Sequence, residues 1–216
     1  MRISHKYKFI FFCNPKTGSE SVRRMLNQYS DVIGTAYLER TKNNPFYSHI
    51  TPHETKLIFD QFGWNFDSYQ KFVFVRNPWA RLVSLYEMIL RLEKFPDKFA
   101  SFSEWLYTIR VDGTGGGGED WQRWRKYGSY SLDSFCKGDS GMRLIDKIIR
   151  LEDIDRDLLP YLKSLNLPNI EGFSVPHVNK SVVRQHYTQY YDDETQSYVG
   201  RLYDDDIREF GYKFGE

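Results

Sequence analysis

Two short apolar runs rich in β-forming residues, each followed by a helical pattern, constrain the fold of this chain more than any other feature. The first run, 8–13, leads through a glycine-containing loop into apolar residues at helical spacing over 19–29. The second run, 71–76, leads into a helix with Asn77 as N-cap and Pro78 at its first position. Short continuous apolar runs are typical of strands buried on both faces. Such strands alternating with helices predict an α/β fold with a parallel sheet.

The rest of the chain continues this alternation. A third strand is predicted over 146–150 with a helix over 153–164, and 192–210 is predicted to be helical with an acidic outer face. The glycine-rich run 113–118 predicts a flexible loop. The sequence has no internal repeat, and the glycine-rich run separates two halves of one domain rather than two domains. The prediction is therefore one domain over 1–216, a P-loop-like parallel sheet flanked by helices.

Composition excludes some partners and locations. Lys and Arg number 30 against 29 Asp and Glu, a formal net charge of +1, whereas binding to polyanions by counterion release requires a strong basic excess. No nucleic-acid partner is therefore expected. Cys13 and Cys136 cannot build a disulfide framework. Because the N-terminal apolar run is far shorter than the roughly 20 residues of a membrane span, we expect a cytoplasmic protein with no membrane span.

The first loop, in the segment CNPKTGSES, has the composition of an anion-binding turn. Lys16 and Gly18 lie directly ahead of the predicted helix, whose N-terminal dipole attracts phosphate or sulfate. Backbone N–H groups over 17–21 would face the anion, and Lys16 would supply a positive charge. The Walker A order is not met, which disfavours a P-loop kinase or NTPase. Taken alone, the loop also fits an ordinary strand-to-helix turn.

The second unit, FVFVRNPWARLVS, places Arg76 at the end of a buried strand and Ser84 on the helix that follows. An arginine at this point can hold a phosphate bidentately, and a hydroxyl can share it. The alternative is a structural salt bridge of Arg76.

Together the two segments resemble the sulfotransferase superfamily. In that family, segments of the PKTGS and VRNPxxRxVS types bind 3′-phosphoadenosine 5′-phosphosulfate (PAPS). The first wraps the 5′-phosphosulfate, and the Arg and Ser of the second grip the 3′-phosphate. Three later segments, at 148–158, 175–181 and 204–214, are similar to the carbohydrate-sulfotransferase branch.

The resemblance implies a PAPS-dependent sulfotransferase that modifies a hydroxyl, expected on a carbohydrate, releases PAP and uses no metal. Lys16 is then a catalytic residue that stabilises charge on the bridging oxygen. The donor-binding residues that we expect are Lys16, Thr17, Gly18, Ser19, Glu20, Ser21, Arg76, Ser84, Asn179, Lys180 and Ser181.

The acceptor hydroxyl needs a base, and histidine is the usual one at neutral pH. His49 follows a Phe-Tyr stretch between the two donor segments, where sulfotransferases of the heparan 2-O type place a catalytic histidine. His53 is the rival, and Glu54 is a further alternative. For the whole protein, the alternatives are a P-loop-type kinase or NTPase and a non-catalytic anion-binding domain of the same fold.

Overall fold

A computed structural model describes residues 1–91, 101–112, 128–170 and 185–216. The predicted flexible loop at 113–118 lies outside these ranges. The described residues cluster into two units. The first holds residues 1–75 and 136–170, and the second holds residues 76–91, 101–112, 128–135 and 185–216.

One mixed sheet organises the first unit, with the strand order β3-β1-β2-β4-β5. The parallel neighbours are β2 with β4 and β4 with β5, and β1 pairs antiparallel with both β2 and β3. The three strands predicted from sequence are the parallel ones, which confirms the α/β class. The two antiparallel strands were not predicted, because each has two or three residues and no clear pattern. The strands are β1 Arg2–Ser4, β2 Phe9–Phe12, β3 Val32–Ile33, β4 Gln70–Val75 and β5 Lys147–Arg150.

Aromatic side chains fill one face of the parallel strands. Phe11 stacks on Phe72 with ring centroids 4.8 Å apart, and Phe74 lies 5.1 Å from Phe11. On the opposite face, Ile10 and Val73 are equally buried. Burial on both faces explains why these strands read as continuous apolar runs in the sequence.

Helices alternate with the parallel strands along the chain, and the four predicted helical segments are found close to their predicted positions. The predicted helix over 19–29 is α-helical only to Leu26, and a 3₁₀ turn over Asn27–Tyr29 leads to extended backbone at Ser30. The hydroxyl of Ser30 donates to the Leu26 carbonyl at 2.7 Å. The predicted C-terminal helix is broken at Tyr203, which is buried and donates to the carbonyl of Ser129 at 2.6 Å. The helices are α1 Ser19–Leu26, α2 Pro52–Phe62, α3 Pro78–Arg91, α4 Phe102–Leu106, α5 Leu132–Cys136, α6 Ile154–Ser164, α7 Asp193–Leu202 and α8 Asp204–Phe210.

Two helix starts show how local chemistry positions the candidate site residues. Asn77 caps α3, accepting from the Ala80 N–H at 3.3 Å, as predicted. Helix α2 was not predicted, although it begins with a capping box between Thr51 and Glu54 and has Pro52 in its first turn. Within the described ranges, no helix has the length and apolar character required to cross a membrane.

Candidate active site

The loop that follows β2 is shaped by two residues with left-handed backbone. Gly18 is the N-cap of α1 with φ 75°, and Lys16 has φ 64°. A Cβ on Gly18 would lie 2.4 Å from Cδ1 of Leu151, so both the left-handed conformation and the approach of this side chain favour glycine there. Glycine has no side chain to cap α1, which leaves the first amides of the helix suited to an anion.

Hydroxyl groups line this loop, and one of them closes it. The hydroxyl of Thr17 donates to the carbonyl of Asn14 at 2.8 Å, so its proton already has a partner within the loop. Ser19 and Ser21 are buried at the start of α1, and Lys16 is half-buried. The predicted anion loop is thus an ordered turn with a cation and the start of a helix.

Glu20, one of the predicted donor-binding residues, has a carboxylate that is engaged elsewhere. It accepts hydrogen bonds from Arg23 and, at 3.2 Å, from Arg24, both on the next turn of α1. A carboxylate would repel an anionic donor. Glu20 can therefore serve an anion only through its backbone N–H, and its side chain orients the two arginines.

His49 is hydrogen-bonded to the residue at which the anion loop begins. Its Nδ1 lies 2.8 Å from the carbonyl oxygen of Cys13, the residue just after β2. A carbonyl only accepts, so Nδ1 carries the proton and Nε2 keeps its lone pair. The hydrogen bond thereby selects the tautomer that a general base with Nε2 as acceptor requires.

The surroundings of His49 favour its neutral form. Burial is the largest cause of a fall in its pKa from 6.5 to about 3, although its side chain retains some accessible surface. The positive charges of the N-terminal ammonium, Arg23 and Lys16 lower the pKa further, and the hydrogen bond to Cys13 raises it. His49 is therefore uncharged at neutral pH.

The two alternatives to His49 have other partners. His53 lies in the first turn of α2 with Nε2 3.3 Å from a carboxylate oxygen of Asp139. Glu54 accepts from the hydroxyls of Tyr47 at 2.8 Å and Thr51 at 2.9 Å, and from the Thr51 N–H at 3.1 Å. These bonds make Glu54 the closing residue of the α2 capping box.

Arg23 was not singled out from the sequence. Its Nη1 donates to the hydroxyl of Ser48 at 3.1 Å, which ties helix α1 to the residue before His49. Its spacing of three residues from Glu20 is a signal for an ion pair on a helix, but the contact with Ser48 depends on the tertiary fold.

In the second unit, the segment RNPWARLVS divides into half-buried and buried positions. Arg76 directly follows β4 and is half-buried, as is Ser84 on α3. Arg81 is buried, donates to the carbonyl of Tyr130, and has its guanidinium 5.2 Å from the centroid of the Tyr203 ring. The second arginine of the segment therefore has a packing role. The remaining predicted donor-binding residues, Asn179, Lys180 and Ser181, lie outside the described residues.

The sheet and its first loop define an α/β protein with a turn of the anion-binding kind ahead of a helix. The model of the sulfotransferase family matches residues 1–213, and the chain belongs to this family. The crystal structure of a sulfotransferase from Alicyclobacillus acidocaldarius is similar, with a TM-score of 0.51 and 16% identity, over 93% of this chain and 92% of that chain. At this identity the likeness shows the shared fold. A search of curated proteins gave no match.

Membership of the family makes the chain a transferase of sulfuryl groups by class. The family match runs through both units, and the organisation as one domain over 1–216 stays a prediction.

Proposed function

We propose that this protein transfers the sulfuryl group of PAPS to a hydroxyl of a carbohydrate, with Lys16 stabilising the leaving group and His49 as the base. The observation that carries the proposal is the 2.8 Å hydrogen bond from His49 Nδ1 to the Cys13 carbonyl. It joins the candidate base to the loop that holds Lys16. Base and leaving-group cation thus belong to one local structure, as in-line transfer between two oxygens requires.

The anion loop would hold the phosphosulfate end of the donor. The unblocked start of α1 at Gly18 supplies backbone N–H groups and a favourable dipole. Lys16 supplies a full positive charge, which would stabilise the negative charge that develops on the bridging oxygen as the S–O bond breaks. When bound, PAPS supplies the sulfuryl group and leaves as PAP.

His49 would take the proton of the acceptor hydroxyl at Nε2. The Cys13 carbonyl keeps the proton on Nδ1, orients the ring, and stabilises the imidazolium that forms. In the free protein the low pKa of about 3 makes His49 a weak base. The negative charge of the donor would offset the cations Lys16 and Arg23, and so raise the pKa when it is needed.

The 3′-phosphate end would be held by residues that the resemblance assigns. Arg76 and Ser84 are half-buried, which leaves part of each accessible. The guanidinium of Arg76 offers two parallel donors to a phosphate, and the hydroxyl of Ser84 offers one more. Asn179, Lys180 and Ser181 are proposed as further contacts from the resemblance.

An exposed tyrosine-arginine pair supports a sugar as the acceptor. The guanidinium of Arg40 lies 3.6 Å from the centroid of the Tyr37 ring, which packs edge-on against Tyr47 at 5.0 Å. Tyr37 keeps 36% of its surface accessible. Tyr47 is two residues from His49, so this stack lies on the segment that carries the base. The guanidinium covers one face of the Tyr37 ring, and this exposed stack of a cation on an aromatic ring suits a sugar that bears an anionic group.

Thermal unfolding with added nucleotide tests the donor assignment. We would compare wild type, Lys16→Ala and Arg76→Ala, each with PAP and with ATP, in the presence and absence of Mg²⁺. A ligand at about 100 times its Kd stabilises a protein by ~2.7 kcal/mol, and each kcal/mol raises Tm by about 2–4 °C at this size. We expect a Mg²⁺-independent rise in wild-type Tm with PAP that is reduced in both variants.

A rise with Mg-ATP alone would favour the kinase or NTPase alternative instead. Binding of PAP without sulfuryl transfer from PAPS to any sugar or other hydroxyl acceptor would favour the non-catalytic anion-binding domain.

A further inference from the structure

Asn14 lies at the start of the anion loop, where two successive backbone carbonyls accept hydrogen bonds from side chains. It follows Cys13, whose carbonyl accepts from His49 at 2.8 Å, and its own carbonyl accepts from the Thr17 hydroxyl at 2.8 Å. The backbone around Asn14 therefore connects the candidate base to the closed turn. Its side chain takes no part in either of these bonds.

The side-chain amide of Asn14 is buried without a hydrogen-bond partner. The residue is 0% exposed, and neither Nδ2 nor Oδ1 has a partner among the described residues. Leaving a buried polar group unpaired destabilises the folded state, because the group loses its hydrogen bonds to water and gains none in the protein. An apolar residue of similar shape would avoid this cost, so the structure alone does not account for an asparagine at this position.

A second unfavourable feature lies two residues further along the same loop. Lys16 has φ 64°, a left-handed conformation that is unfavourable for a residue with a Cβ. Backbone strain and unpaired polar groups persist where a bound ligand makes use of them. Both features fall within the turn that would receive the anion, between β2 and α1.

We propose that Asn14 is a donor-binding residue whose Nδ2 donates a hydrogen bond to an oxygen of the donor's 5′-phosphate, the group that PAP shares with PAPS. This inference rests on the proposed function of the loop. The chemistry matches, because an amide NH₂ offers two donors and the ionised oxygens of a 5′-phosphate only accept. Since the amide is fully buried, the turn at 14–18 must shift locally when the anion binds.

Stability and ligand affinity of Asn14 variants test the proposal together. Asn14→Leu keeps the branched shape and removes both polar atoms, and Asn14→Ala removes them without adding volume. We expect at least one variant to unfold at or above the wild-type Tm without ligand, because an unpaired buried group is lost. In that variant we expect the Kd for PAP, measured by calorimetry, to rise at least about tenfold, as the loss of a charge-assisted hydrogen bond predicts.

Tyr161 provides a matched control in the same unit. Its hydroxyl is also buried without a partner among the described residues, and it lies on α6 against Phe72. Tyr161→Phe should likewise leave Tm at or above the wild-type value, but with the Kd for PAP unchanged. The contrast separates a ligand-binding amide from an unpaired group in general.

Two results would overturn the role of Asn14. One is wild-type affinity for PAP in either Asn14 variant. The other is a Tm well below wild type in both variants, which would mean that the amide has a structural partner. If wild type itself does not bind PAP, the proposed function fails as well. If wild type binds PAP and the variants bind equally, only the role of Asn14 is refuted.

Discussion

At the scale of single residues, one hydrogen bond decides what His49 can do. Because the Cys13 carbonyl accepts from Nδ1 at 2.8 Å, the lone pair is on Nε2. An amide at the same position could keep this bond without providing a base. His49→Asn is therefore a sharper substitution than His49→Ala, since it preserves the contact with the loop.

We expect His49→Asn to lower kcat for sulfuryl transfer by about 10²–10⁴-fold, the usual contribution of a general base. PAP binding should be retained, because the donor loop is intact. Steady-state kinetics with calorimetric PAP titration measures both. His53→Gln is the matched substitution in α2. Loss of turnover in His53→Gln with normal turnover in His49→Asn would move the assignment to His53.

The same residue predicts a pH dependence of folding. The pKa of His49 falls from 6.5 to about 3 on folding, so below pH 6.5 the unfolded chain binds a proton that the folded protein does not. This contribution to stability is complete above pH 6.5 and is lost as the pH falls toward 3, by up to ~1.4 kcal/mol per pH unit. Urea unfolding between pH 7 and pH 5 should show a steeper loss in wild type than in His49→Asn. Equal slopes would contradict the low pKa.

At the scale of elements, the loop between β2 and α1 depends on Gly18, which packs against Leu151, the residue directly after β5. We expect Gly18→Ala to cost about 1 kcal/mol for the left-handed conformation and a further contribution of similar size because Leu151 must move. PAP affinity should also fall, since the loop shape changes.

Gly63→Ala is the control for that substitution. Gly63 ends α2 with φ 68°, and a Cβ there would meet nothing within 4 Å. It should show the conformational cost alone and leave PAP affinity unchanged. In the double variant Gly18→Ala/Leu151→Ala the steric conflict is removed, so PAP affinity should recover part of what Gly18→Ala alone loses. Identical effects of both glycine substitutions in urea unfolding would show that the approach of Leu151 is unimportant.

Element boundaries show where sequence reasoning succeeded and where it did not. The helix start at Asn77 and Pro78 was predicted from residue chemistry alone, because a cap and a first-turn proline act locally. Helix α2 was missed although Thr51 and Glu54 carry a capping signature. Its buried face holds Pro52, Thr55 and Phe59, with one large apolar residue among them, so its apolar periodicity is weak.

At the scale of the whole molecule, stability depends on the aromatic core of the sheet. Phe72 is 0% exposed and contacts Phe11 and Tyr161 with centroids 4.8 and 5.0 Å away. We expect Phe72→Ala to cost about 3–5 kcal/mol, which lowers Tm by roughly 6–20 °C for a chain of this length. Calorimetry measures the shift. Leu57→Ala, at an exposed position, should remain within about 0.5 kcal/mol of wild type; comparable losses would mean that the sheet core is not the main source of stability.

The sequence by itself determined the alternation of buried strands and helices, the anion loop with Lys16 and Gly18, and the likeness to sulfotransferases. These features are local, because they depend on neighbouring residues and their periodicity. Only the tertiary structure placed His49 against the Cys13 carbonyl, 36 residues away in the chain. It also buried Arg81 and left the amide of Asn14 without a partner among the described residues. Such contacts depend on how distant segments pack, and no local pattern encodes them.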